Sequence, residues 1–189
     1  EYWSNRIDET ASDILGILNM GPSAGIGLIG YFRALNEAYT GDGRLRSDGP
    51  EDDPHPADII RGYLASSAVG LLRFSGASGW AKVILAETEK DRTEISLGGT
   101  VVSPEDARQS AAIVASTLMR SKMESLDNHA LGDIQDWRDH DETITRKLRA
   151  ILTSANQLPR TYAKGFYAAH VVAAAVTAAA GAGPFGEQL

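Results

Sequence analysis

Apolar residues recur along this chain mainly at helical spacing. Ile7, Ala11, Ile14, Leu15 and Leu18 fall three or four apart behind Ser4, with Asp8, Glu9 and Asp13 in the early turns, so the spacing predicts an opening helix. Asn19-Met20-Gly21-Pro22 ends it. Pro22 can then begin a second helix to about residue 39, because proline at the first helical position lacks only an amide that would go unbonded. Residues 41–56, rich in Gly, Asp and Pro, read as a loop longer than most connections in compact domains, and as a candidate functional loop. A third helix starts near Pro56-Ala57-Asp58 and carries Ile60, Tyr63, Leu64, Ser67, Leu71 and Phe74 on one face; residues 75–79 interrupt it, and a fourth is expected over 80–90 with Trp80, Val83, Ile84 and Glu87 on one side.

The β signal is confined to Ile95-Ser96-Leu97 and Thr100-Val101-Val102, separated by Gly98-Gly99, the signature of a two-residue hairpin. Ser103-Pro104-Glu105-Asp106 then marks a strong helix start, followed by Ala107, Ala111, Val114, Ala115, Leu118 and Met119. After a connection over 121–132, a helix is expected over 133–154. Its stripe is Ile134, Trp137, Ile144, Leu148, Ile151 and Leu152, with acids early and Arg146, Lys147 and Arg149 late.

A last helix is expected over 159–180. From Phe166 onward it is mostly Ala and Val, with one imidazole, His170, and no formal charge. A helix apolar on all sides belongs in the middle of a fold, so the chain is expected to be organised around it. The second helix is its expected neighbour, since Gly25, Gly27 and Gly30 each cost ~1 kcal/mol relative to alanine unless something approaches closely. The fold predicted is a single all-α domain over residues 1–189, a bundle of about seven helices with one short β-hairpin near 95–102.

Charge and composition narrow the function. The net charge is −7, with no dense basic run, which argues against nucleic acid or an anionic membrane as the main partner. There is no cysteine, so disulfides, thiolate metal sites and cysteine nucleophiles are excluded. The charge-free run 165–186 is long enough to span a bilayer, but Ala and Gly gain little from lipid, and a buried helix of a soluble protein is expected. No secretory leader reads at the start, and opening on Glu1 fits a processed product or part of a longer chain.

Three constellations could carry chemistry. Gly25-Ile26-Gly27-Leu28-Ile29-Gly30 fits G-x-G-x-x-G, the turn that lets a backbone meet the pyrophosphate of a flavin or nicotinamide cofactor; no second strand ending in an acid follows, so close helix packing is the simpler expectation. His170, with Tyr167 nearby and small residues around it, could be an axial ligand to a tetrapyrrole, or a core histidine with local hydrogen bonds. Asp133, Asp136 and His140 would share one face of a continuous helix and could hold a divalent cation, or simply complement the helix dipole. Loop 42–53 places Arg44 and Arg46 where calcium ligands would stand. No serine lies in a nucleophile elbow. The expected function is a helical interaction or assembly module, self-associating as a homo-oligomer or docked to a larger protein partner. The alternative is a cofactor-binding protein or enzyme with a pocket near the glycine-bearing helix and His170.

Overall fold

A computed structural model of the chain describes residues 1–152 and 167–181. Among them run α1 (Ile7–Met20), α2 (Pro22–Thr40), β1 (Asp48–Gly49), α3 (Asp58–Gly70), α4 (Ala77–Glu89), β2 (Ile95–Leu97), β3 (Thr100–Val102), α5 (Pro104–Arg120), α6 (Leu131–Ile134), α7 (Asp139–Leu152) and α8 (Ala168–Gly181). The chain is a mostly helical single domain with a small mixed sheet, as the periodicity and the hairpin signal predict. No helix among the described residues is long and apolar enough to cross a membrane.

The centre is α3, not the last helix. Every residue from Asp58 to Ser66 is buried, and α3 packs against α4 and α5 most extensively and against α1 and α2 as well. Ile59, Ile60, Leu64 and Val69 leave water completely, each stabilising the fold by roughly 2 kcal/mol. The approach to α4 is close: a Cβ on Gly62 would sit 2.4 Å from Thr88 Oγ1.

By contrast, α8 is peripheral. It packs on α7, α2 and α1 through the face that carries His170, Ala173, Ala174 and Thr177, while Val172 and Ala175 face solvent. An alanine helix presents little apolar area per residue, so one side can stay in water at small cost. The expected beginning of this helix at 159–166 lies outside the described residues.

The single helix expected over 133–154 is broken. After α6, Gln135 is extended, and a second start follows at Asp139. The cause is Trp137, whose ring is buried against Gly21; a Cβ there would lie 2.6 Å from the indole, and Gly21 has φ +60°. Turning this indole inward takes the chain out of helical geometry. Asp141 Oδ2 then accepts the Arg138 N–H at 2.9 Å, which caps the new start.

The hairpin turns through Gly98 and Gly99, both at positive φ, as a two-residue primed turn requires. β2 pairs with β3 antiparallel, Ile95 opposite Val102, and with β1 in parallel, Asp48 opposite Ser96. Loop 41–57 is thereby tied to the sheet. Arg6 holds it from the other side, donating to the carbonyls of Pro50 (2.7 Å) and Glu51 (3.1 Å). At α5, Ser103 caps the helix by accepting the Asp106 N–H at 3.0 Å.

Candidate functional site

The three glycines of G-x-G-x-x-G lie within α2, and Ile14, Ile17 and Leu18 before them are helical. Amides inside a helix bond to carbonyls four residues back, so this stretch forms no phosphate turn. Each glycine has its own surroundings. Gly25 meets α4 and α3, where a Cβ would stand 2.7 Å from Ile84 Cδ1 and 3.5 Å from Ala65 Cβ; Gly27 and Gly30 have open space beside them, and Gly30 is exposed.

His170 is 2% exposed. Its Nδ1 accepts the Tyr167 N–H at 3.1 Å, which leaves the proton on Nε2 to donate to Asp141 Oδ1 at 2.8 Å. The Trp137 and Tyr167 rings lie 5.5 and 5.7 Å from the imidazole. Both ring nitrogens are engaged within the protein: the Nδ1 bond closes the start of α8 on itself, and the Nε2 bond ties α8 to the start of α7. Tyr167 itself is 71% exposed.

Asp133, Asp136 and His140 do not share a helix face, because the break at 135–138 puts them on α6, the connection and α7. The Asp133 carboxylate accepts the Ala130 N–H at 3.2 Å; Asp136 pairs with Arg73 at 2.5 Å; His140 is exposed. No group of three His, Asp or Glu side chains that could hold a metal ion occurs among the described residues.

The structure instead opens a cleft of about 440 Å³ between α2, the start of α1, the start of α3 and loop 41–57. On α2, Leu28, Tyr31, Leu35 and Tyr39 recur at helical spacing along its edge. Tyr31 is 59% and Tyr39 83% exposed. A second groove of about 270 Å³ runs between α1, α2 and α8, past Gly16, Met20, Gly27, Val172 and Val176. The two share Leu28 and Tyr31 and so form one strip along α2.

Below the cleft lies a network of charges. Arg61 grips Asp13 through Nε and Nη2, both at 2.7 Å, reaches Glu9 at 3.2 Å, and stacks its guanidinium 4.5 Å from the Phe32 ring centre. A lone buried charge is costly, and here each partner satisfies the other. Burial pushes the Asp13 carboxyl above its usual range against the pull of Arg61; on Arg61 burial acts against the charge, but the bonds to Asp13 outweigh it and raise its pKa. Asp58 Oδ2 accepts from Asn36 (2.8 Å) and from the Arg46 N–H (3.0 Å), locking α2, the loop and α3 together. Arg46 pairs with Asp53, whose carboxyl is partly buried yet held below its usual range by that bond. His55 Nδ1 lies 3.4 Å from Glu9 Oε1.

Sequence reasoning singled out loop 41–56 and read Glu9 and Asp13 only as first-turn acids. The missed signal was Arg61, alone among apolar neighbours in Ile59-Ile60-Arg61-Gly62-Tyr63-Leu64. A charge there needs a buried partner, and Asp13, between Ser12 and Ile14 on α1, is the matching one.

No protein-family description matches this chain, and neither a curated protein nor a solved structure is similar to it.

Proposed function

We propose that this chain is a helical interaction module that docks onto a larger protein partner by the open edge of α2. The observation that supports it best is the pair of exposed rings, Tyr31 and Tyr39, standing beside a cleft whose floor is fixed by ion pairs. Aromatic side chains over a rigid base are the usual anchors of protein interfaces. The adjoining groove, with Met20, Val172 and Val176, extends the apolar area. A second copy of the chain fits this edge poorly, since a two-fold contact would set the acidic cleft against itself. A cofactor at His170 has less support, because both ring nitrogens already have partners.

The absence of cysteine makes a direct test simple. Tyr31→Cys and Val172→Cys variants carry a benzophenone label, with Ile113→Cys on the outer side of α5 as control. In extracts of the source, the first two should give a photo-adduct of one defined mass. Unlabelled wild-type protein should compete it away, and a Tyr31→Ala/Tyr39→Ala variant should compete poorly. Equal adducts from Ile113→Cys, or equal competition by the two proteins, would overturn the reading.

A further inference from the structure

Resting on that reading, we infer that the partner inserts a basic side chain, a guanidinium in particular, into the cleft beside Tyr31 and Tyr39. The charge count points this way. Three carboxylates, those of Glu9, Asp53 and Asp58, line the space against the two guanidiniums of Arg46 and Arg61, and the Asp13 carboxylate beneath is already bonded to Arg61. Both guanidiniums are already paired, Arg61 with Asp13 and Glu9 and Arg46 with Asp53, so an entering anion would find no uncommitted cation there and an excess of negative charge. An entering cation meets the opposite situation. Glu9 is half-exposed; its Oε2 lies 3.2 Å from Arg61, while its Oε1, 3.4 Å from the exposed His55 ring, keeps lone pairs open to an entering donor.

The rings favour the same ligand. A guanidinium is planar and weakly hydrated, and it stacks on aromatic faces while its edge donates to carboxylates. Within this protein Arg61 takes that arrangement, over Phe32 at 4.5 Å with its donors on Asp13 and Glu9, as does Arg108, 6.0 Å from the Tyr63 ring centre with its donors on Glu89 and Glu105. Tyr39 and Tyr31, the latter in a T-shaped contact with Phe32 at 5.3 Å, expose most of their surface on the rim of the same cleft, with carboxylates among its lining residues. Leu28 and the adjoining groove would take an apolar side chain next to the basic one in the partner's sequence.

The probe is a capped pentapeptide, acetyl-Leu-Ala-Arg-Ala-Leu-amide, with a second in which citrulline replaces arginine and a third in which glutamate does. Citrulline keeps nearly the same shape and loses the charge. Amide spectra of the labelled protein report the site. The arginine peptide should shift the signals of Tyr31, Asn36, Tyr39 and His55 saturably, and the citrulline peptide should bind about tenfold more weakly. Tyr31→Ala and Tyr39→Ala, both at exposed positions, should each weaken the arginine peptide about threefold while leaving the remaining spectrum in place. Equal binding of the arginine and citrulline peptides at those signals would sink the inference but leave the docking edge standing. Tighter binding of the glutamate peptide, or no shift at those signals up to about 10 mM, would also sink it. The photo-adduct competition then decides the docking reading separately.

Discussion

The residue on which most of the cleft depends is Arg61. Its guanidinium is buried, and its charge is matched by Asp13 from one side and Glu9 from another. Asp13→Asn removes one partner and leaves a buried cation half-compensated, so chemical unfolding should show a loss of about 3 kcal/mol. The double replacement Asp13→Leu/Arg61→Met removes both charges together and should recover most of that loss. If the double variant is as unstable as the single one, the pair is not the coupled unit described here. Tyr63 makes a second residue-scale test. Its hydroxyl is buried beside the Glu89 carboxylate without a well-formed hydrogen bond to it, and burial first, the nearby Glu89 second, push the phenol up to about 12. The sign follows directly. Below the ordinary value of 10.0 the phenol is protonated whether the chain is folded or not; above it the unfolded chain ionises first, so the folded state loses stability as pH rises from 10.0 toward about 12. Tyr63→Phe should therefore change stability at neutral pH by less than about 1 kcal/mol and flatten the alkaline decline, as denaturant midpoints across that pH range would show.

At the scale of elements, the glycines discriminate packing from open surface. Gly62→Ala drives a Cβ against the stiff, buried Thr88, so it should destabilise by about 2 kcal/mol or more. Gly30→Ala has free space on an exposed helix position and should stabilise by roughly 1 kcal/mol in thermal unfolding. Gly27→Ala should stabilise similarly while narrowing the groove at α8, which separates a structural glycine from one left open for docking. These elements were largely legible in the sequence. Ser103-Pro104 and the acids after it mark α5, Gly98-Gly99 marks the hairpin, and Gly21-Pro22 divides α1 from α2. The break at 135–138 was not legible, because Trp137 continues the helical stripe of Ile134 and Ile144; only the tertiary contact with Gly21 draws it out of register. The order of burial was also misleading. Periodicity reports which face is apolar and says nothing about how far an element lies from the centre. An alanine-rich α8 thus read as central, while α3, with Asp58 and Arg61 in it, read as one-sided.

At the scale of the whole molecule, the fold brings together what the sequence keeps apart. Glu9 and Asp13 from α1, Tyr31 and Tyr39 from α2, His55 from the loop and Arg61 from α3 meet at one edge only because α3 passes through the centre. Spacing along the chain shows the α2 edge and the isolated Arg61 but not that they meet, whereas the net charge of −7 does foreshadow the sign of the cluster. Added salt should accordingly weaken partner binding, since the Glu9 carboxylate at the mouth of the cleft is partly exposed and charges there are screened within about 10 Å at 0.1 M. The measurement that bears most directly on this account is hydroxyl-radical footprinting of the unlabelled wild-type protein, alone and with the purified partner that the photo-adducts identify. Oxidation of Tyr31 and Tyr39 should fall severalfold in the complex, while that of Tyr167, which is exposed and lines neither opening, should stay as it was. Unchanged oxidation at both α2 tyrosines, with protection appearing elsewhere, would contradict it.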